Sequence, residues 1–369
     1  MKFTCNSDAL NKAIQIVQKA IISKPSTPIF SGIHILTLDN KIELQAMDLN
    51  MAISCSTDAV VEEAGEIVVS AKYLSELIRK FSGEEITIEK NTENKTIKIN
   101  SNTSEFNLLL MNEEDYPKFP IFDGNKSIEI PDEKIKDLIR KTIYACSNDE
   151  SRPLFTGILF DVNADNITCV GTNTHRLAIK TVAQENPEPM ALIIPAKVLA
   201  EIARNLNSDI PQNVKLSLLN NQIMVIIENV TIVSRLIEGK FPDYRRVIPP
   251  KFAVTAKVKV KELATAVERV SLFSSDGGYS IVKININGNT MTLTSSNPAS
   301  GTGRETVACE SEGENLNVAF NSQYIVDILK NIEADEVMLY LNTSLSPVCI
   351  KAAEDESYTY IVTPVRVVF

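Results

Sequence analysis

Pro28-Ile29-Phe30-Ser31-Gly32-Ile33 returns as Pro153-Leu154-Phe155-Thr156-Gly157-Ile158, an offset of 125 residues. Ser70-Ala71-Lys72-Tyr73-Leu74 returns at the same offset as Pro195-Ala196-Lys197-Val198-Leu199, and Tyr116-Pro117 returns as Phe241-Pro242. A further 125 residues brings Phe320-Asn321-Ser322-Gln323-Tyr324, a weaker match that again opens a helical pattern. A period this long is a whole domain. The 369 residues therefore hold three copies, expected at 1–124, 125–248 and 249–369.

Each copy carries two amphipathic helical patterns separated by alternating stretches. Leu10, Ala13, Ile14, Val17, Ala20 and Ile21 follow the i, i+3, i+4, i+7 spacing of a helix with one buried face. Leu74, Leu77, Ile78 and Phe81 repeat it, as do Leu199, Ile202, Ala203 and Leu206. The windows that result are 8–20, 72–81, 132–146, 196–206, 260–273 and 321–331. Between them, stretches such as Ile42-Glu43-Leu44-Gln45-Ala46 and Met291-Thr292-Leu293-Thr294 alternate with a period of two, the mark of half-buried antiparallel strands. The fold class is α+β with strands predominating: three tandem domains, each with two helices on antiparallel sheets.

Net charge is −10 and the isoelectric point about 5.0, which on its face argues against a nucleic-acid partner. The positive charge is segregated, however. The six helical windows hold 14 Lys and Arg against 9 Asp and Glu, so the acid lies elsewhere. Lys12 and Lys19, Lys72 and Arg79, Lys134 and Lys141, and Lys197 and Arg204 are each seven apart, close to two turns, so each pair runs along one helix side. One reading is that these residues solvate exposed faces. The other is a surface for phosphates read without sequence preference, and repetition over four helices favours it. Lys24 is grouped with this set. No aromatic residues interleave with the basic ones, so stacking on single-stranded bases is not indicated.

Geometry limits how such helices meet a duplex. Six helices about 9 Å apart close a circle about 17 Å across, too narrow once a helix diameter of about 10 Å is removed. Twelve leave a bore of about 24 Å. Encircling DNA therefore needs two chains, and a head-to-tail pair closes symmetrically.

Enzyme readings find little support. His34 alternates with Ile33 and Ile35 as a packed strand residue would. His175 beside Arg176 offers a general base with an anion partner, but no Gly-x-Ser-x-Gly elbow accompanies it. Two isolated histidines form no ordinary zinc site, so no metal and no cofactor is expected. Gly301-Thr302-Gly303-Arg304 lacks the phosphate-loop spacing and reads as a hairpin tip. Glu113-Glu114-Asp115 and Glu354-Asp355-Glu356 read as solvated turns, and no residue is assigned a catalytic role. Cys5, Cys55, Cys146, Cys169, Cys309 and Cys349 stand singly without a CxxC pair, as reduced structural thiols in a cytoplasmic protein do. The N-terminus turns polar too soon for a signal peptide, and no apolar run approaches the length of a membrane span. A protein-binding scaffold whose basic helices never meet DNA is the alternative.

Phe241-Pro242-Asp243-Tyr244-Arg245-Arg246-Val247 resembles the central-domain signature of the bacterial DNA polymerase III beta subunit family, the DNA sliding clamps. Gly171-Thr172-Asn173-Thr174-His175-Arg176-Leu177-Ala178 resembles that family's Thr-Asp-Gly-His-Arg-Leu-Ala segment, and Met1-Lys2-Phe3-Thr4 and Tyr360-Ile361-Val362-Thr363-Pro364-Val365-Arg366 match its two ends. The resemblance spans the chain in order. It implies a homodimeric ring that encircles double-stranded DNA without sequence specificity, with helices lining the hole and sheets outside. It also implies non-catalytic processivity and a pocket between the second and third domains. That pocket takes a short motif, with apolar side chains and a glutamine, from the replicative polymerase alpha subunit, the clamp loader, other polymerases and repair proteins.

Positions matching the family's pocket are Phe155, Thr172, Thr174, His175, Arg176, Leu177, Pro242, Arg246, Val247, Pro347, Ile361, Val362, Thr363, Pro364, Val365 and Arg366. Arg152 matches a DNA-facing position. Phe106 and Leu108 on one side, and Leu272 and Phe273 on the other, match the subunit interface, the alternative being ordinary core. The sequence departs from the family at Thr174, where glycine is usual, and at Asn173, where an acid is usual. Val367-Val368-Phe369 extends past the usual end.

Overall fold

The computed structural model describes residues 1–22, 25–122, 126–206, 211–274, 280–353 and 355–367. The repeated motif is a packing device. Pro28–Ser31 and Pro153–Phe155 each form a short 3-10 turn, with proline pre-set for the first helical position. Ser31 Oγ donates to the Pro28 carbonyl at 2.7 Å, and Thr156 Oγ1 to the Pro153 carbonyl at 2.8 Å. The following glycines open the strands Gly32–Leu38 and Gly157–Val162. A Cβ at Gly32 would lie 2.7 Å from Val68 Cγ1, and one at Gly157 2.7 Å from the Ile194 carbonyl oxygen. Neither position accepts a side chain without movement.

Six α-helices appear among the described residues: α1 (Ser7–Val17), α2 (Ala71–Ile78), α3 (Asp132–Ile143), α4 (Ala196–Asn205), α5 (Val260–Ser271) and α6 (Ser322–Asn331). They fall on the six periodic windows and end a little earlier in most. A 3-10 turn, Gln18–Ala20, carries α1 on, and Arg79 caps α2. Leu10, Ala13, Ile14 and Val17 form the buried stripe of α1, and Leu263, Ala266, Val267 and Val270 that of α5. Asn6 caps α1, its side chain accepting from the Asp8 and Ala9 amides, and Asn321 caps α6 through the Gln323 amide.

Two compact units divide the chain: residues 1–132 with 204–236, and residues 133–203 with 237–369. Each is built on one antiparallel sheet, of 13 and 12 strands, to which the middle repeat contributes four strands apiece. In the first unit, Met51–Asp58 pairs with Val230–Arg235, setting Met51 opposite Ser234 and Ala52 opposite Val233. In the second, Arg176–Ala183 pairs with Asp355–Val362, setting Arg176 opposite Val362 and Leu177 opposite Ile361. These are equivalent places in successive repeats. Helices α1 and α2 pack together in the first unit, and α5 and α6 in the second. Buried stripes of α5 and α6 join strand residues such as Val282, Ile284, Leu293, Ile350 and Tyr360 in one apolar core.

Candidate functional site

In the second unit, an open cavity of about 250 Å³ is lined by Phe155, Thr172, Thr174, His175, Arg176, Leu177, Phe241, Pro242, Asp243, Tyr244, Val247, Pro347, Ile361 and Thr363. Its floor is the face-sharing pair Leu177 and Ile361, backed by buried Val170, Ile179 and Cys349. Phe155 and Phe241 meet edge to face, ring centroids 6.3 Å apart, and close one side. Tyr244 is buried in the 3-10 turn Tyr244–Val247, which Asp243 caps by accepting from the Arg245 amide. A cavity this small, apolar below and polar at the rim, suits one or two side chains of a segment rather than a cofactor.

The rim is the turn from Thr172 to Arg176. Asn173 Oδ1 accepts from the amides of His175 and Arg176, both at 3.0 Å. Thr172 Oγ1 donates to the Arg176 carbonyl at 2.6 Å and accepts from the Thr174 amide at 3.1 Å. Thr174 has φ +76°, the left-handed region that favours the glycine the family pattern carries there. Its hydroxyl accepts from Arg152 at 3.3 Å, and Arg152 also pairs with Asp149 at 3.0 Å. The Thr363 amide donates to the His175 carbonyl at 2.9 Å, tying the C-terminal segment to the turn. The Arg176 side chain is largely buried, 10% exposed. It donates to Asp327 and to the Tyr144 carbonyl, and lies 4.4 Å from the Tyr324 ring centroid.

Eleven of the sixteen residues matched to the family's pocket line this cavity. Arg246, Val362, Pro364, Val365 and Arg366 do not. Arg246 turns outward to Asp243 at 3.0 Å. Val362 points to the opposite face of its strand and joins the core of α5 and α6. Pro364 is buried, and the Val365 amide donates to the Ala319 carbonyl at 2.7 Å. Phe241, Asp243 and Tyr244 line the cavity without having been assigned to it, although they flank Pro242 in the quoted signature. Val367 is half-buried, and Val368 and Phe369 lie outside the described residues.

Lys12, Lys19, Lys72, Arg79, Lys197 and Arg204 are exposed on their helices. Lys134 bends back to the Ala183 carbonyl at 2.8 Å and Gln184 at 3.1 Å. Lys141 departs from the expectation of an open basic face. It is 6% exposed, 3.2 Å from Asp137 and 3.6 Å from Glu333, over the Tyr358 ring. Seven-residue spacing places it beside Lys134, but these acidic partners draw it inward. Lys24 lies outside the described residues.

Two strands have open stretches among the described residues. Glu105–Met111 pairs with Thr96–Asn100 along one side, but on the other only Leu110 and Met111 meet a strand. Gly301–Glu312 pairs with Thr290–Asn297, while only its last four residues meet Val254–Lys259. Gly301 to Arg304 thus begin a strand, just past the turn of the hairpin. Phe106 is 40% exposed and packs edge-on against Phe81; Leu109 is 76% exposed. Leu272, also 76% exposed, follows α5, and half-buried Phe273 lies against Gly301 and Gly303. Leu108 is half-buried. Open backbone here coincides with bare apolar side chains on both strands.

His34 sits between Gln45 at 3.2 Å and Glu66 at 2.9 Å, tilted on the Tyr116 ring. Among the described residues no three His, Cys, Asp or Glu side chains are placed to hold a metal ion. Burial pushes the thiols of Cys5 and Cys146 up to about 12 and those of Cys55 and Cys349 to about 11, far from a reactive thiolate. No helix among the described residues is long and apolar enough to cross a membrane.

Family models of the DNA polymerase III beta subunit match the chain in sequence: the N-terminal domain over residues 1–120, the central domain over 129–243 and the C-terminal domain over 245–366. The beta sliding clamp of Bacillus subtilis is 31% identical over 99% of this chain and all of its own. A crystal structure of the Bacillus subtilis DNA polymerase sliding clamp superposes with a TM-score of 0.95 at 29% identity, covering 100% of both chains. A Pseudomonas aeruginosa sliding clamp solved bound to griselimycin superposes at 0.93 with 26% identity, again over 100% of both chains.

Proposed function

Because the chain belongs to the DNA polymerase III beta subunit family, we propose that two copies close head to tail into a ring around duplex DNA. It is a sliding clamp, a non-catalytic processivity subunit. Its three domains run 1–124, 125–248 and 249–369, a division that the three family matches support by falling almost wholly within those spans. The cytoplasm is where it works.

The pair of open strand stretches carries this reading. The bare side of residues 105–109, with Phe106, Leu108 and Leu109, joins the bare side of residues 301–308 in the partner copy, beside Leu272 and Phe273. Each supplies the backbone donors and acceptors that the other lacks. Twelve helices then line the bore. Lys12, Lys19, Lys72, Arg79, Lys197 and Arg204 face the phosphates, with Arg152 at the margin; Lys141, already paired, does not. Contacts of this kind are screened and exchangeable, which holds DNA yet permits sliding. An acidic exterior keeps DNA off the outer surface.

The cavity over Leu177 and Ile361 receives a short motif from the polymerase alpha subunit, the clamp loader and other partners. Apolar side chains enter over the floor while the 172–176 turn fixes direction. Light scattering over a dilution series tests the ring. A stable species near twice 40.8 kDa, with retention on closed circular DNA that linearisation abolishes, is expected. A monomer at micromolar concentration would overturn it, since six helices do not enclose a duplex.

A further inference from the structure

The turn that rims the cavity is held from outside the cavity, by helix α6. Arg176 donates to Asp327, and Asn173 Nδ2 donates to the Tyr324 hydroxyl at 3.1 Å. Neither Asp327 nor Tyr324 lines the cavity. Asp327 is itself set: Gln323 Nε2 donates to its other carboxylate oxygen at 2.7 Å, and Asn331 Nδ2 to its carbonyl at 2.8 Å. The guanidinium it orients lies over two aromatic rings, 4.4 Å from the Tyr324 centroid and 5.5 Å from that of Tyr144.

The chain supplies its own control. At the equivalent turn of the first repeat, Asp48 Oδ1 accepts from the amides of Asn50 and Met51, both at 2.7 Å, just as Asn173 does. There the tether is missing by composition. Asp48 has no side-chain donor, Met51 stands in place of Arg176, and the residues 125 before Tyr324 and Asp327 are the apolar Leu199 and Ile202. Leu49, in the place of Thr174, does not adopt positive φ. Of these two turns, the one that borders the open cavity is the one held by α6 and carrying the positive φ.

We propose that Asp327 is a positioning residue for partner binding: it fixes Arg176, and with Tyr324 holds the 172–176 turn in the shape that a bound segment meets. The inference rests on the cavity being the partner-binding site. A largely buried guanidinium stripped of its carboxylate is costly and seeks other company, which would let His175 and Thr174 drift. Binding would then suffer without any lost contact to the ligand.

The test measures affinity of the full chain for a fluorescein-labelled nonapeptide carrying a glutamine followed by leucines and a phenylalanine. Asp327→Asn should weaken binding about tenfold, about 1.4 kcal/mol, and Asp327→Glu should restore most of it. The protein has two histidines, so the ring resonances report the turn directly. Asp327→Asn should shift His175 and leave His34 in place, which general destabilisation would not do. Tyr324→Phe, which removes only the hydroxyl, should weaken binding about threefold and decides the matter if Asp327→Asn fails to fold. Wild-type affinity and an unmoved His175 signal in these variants would overturn the inference. Leu177→Asp separates the two readings: peptide still bound there would sink the pocket itself, and the positioning role with it.

Discussion

Leu177 and Ile361 stand opposite one another on neighbouring strands, and their side chains make the floor of the only cavity among those described that is mainly apolar. The first unit sets Ala52 and Val233 in the same register. There, Met47 stands where the cavity has Thr172, and Phe122 where it has Val247, and both are buried in a closed cluster with Tyr116 and Met224. Larger side chains fill in the first unit the place that stays open in the second.

Leu177→Ala follows from this. Removing a largely buried leucine should cost about 2–3 kcal/mol, toward the low end for such truncations because the cavity already lies on one side. Peptide affinity should fall at least about tenfold, since the floor loses its apolar contact. Chemical denaturation and calorimetric titration on the same preparation check both. Retained affinity at reduced stability would move the binding surface away from this floor.

Local patterns in the sequence carry the elements well. Leu10, Ala13, Ile14 and Val17 announce α1 because helix periodicity is a property of a single segment. The cavity was legible only through resemblance, since its residues come from five separate stretches that no local pattern joins. Even so, the Phe241-Pro242-Asp243-Tyr244 signature carries four lining residues in a row. Pleating was a signal left unused: Val362 lies between Ile361 and Thr363, so it faces away from the side they share. Lys141 shows the other limit. Spacing along α3 gives its side of the helix, but Glu333, which it meets at 3.6 Å, is almost 200 residues away in sequence.

Thr174→Gly relieves a backbone conformation that costs a β-branched residue about 1–2 kcal/mol, and gives back about 0.5–1 kcal/mol in unfolded-chain entropy. The net expectation is a chain up to about 1 kcal/mol more stable in urea, with the turn intact through Asn173. A loss of stability would show instead that the 3.3 Å hydrogen bond from Arg152 to the Thr174 hydroxyl outweighs the strain.

Acidification acts on Glu333. A hydrogen bond from Arg140, then the charges of Arg140 and Lys141, hold its carboxyl below the ordinary value of 4.5. A lowered carboxylate contributes stability that is complete above the unfolded value and lost as pH falls through the folded one. Glu333 is 65% exposed, so screening limits this contribution to no more than about 0.5 kcal/mol. Glu333→Gln should therefore lower stability slightly at pH 7 and converge with the parent as pH falls through the lowered folded value. Unfolding curves across that range, repeated in high salt, check it: a difference that persists at low pH would not be electrostatic.

The thiols give a readout of the whole fold. All six cysteines are free, and five are buried; Cys146, the exception by exposure, is nonetheless pushed up to about 12 by its apolar surroundings. At pH 8 a thiol raised to about 11 is roughly one part in a thousand thiolate, the form that attacks a disulfide reagent. The native protein should thus react with an aromatic disulfide only slowly, at the pace of local opening, and release six equivalents at once in denaturant. A fast native equivalent that Cys146→Ser removes would mean that the segment after α3, which carries Tyr144 beneath Arg176, opens more readily than its packing implies. In that case partner peptide should slow the reaction, because seating the 172–176 turn also closes the contact between Arg176 and the Tyr144 carbonyl.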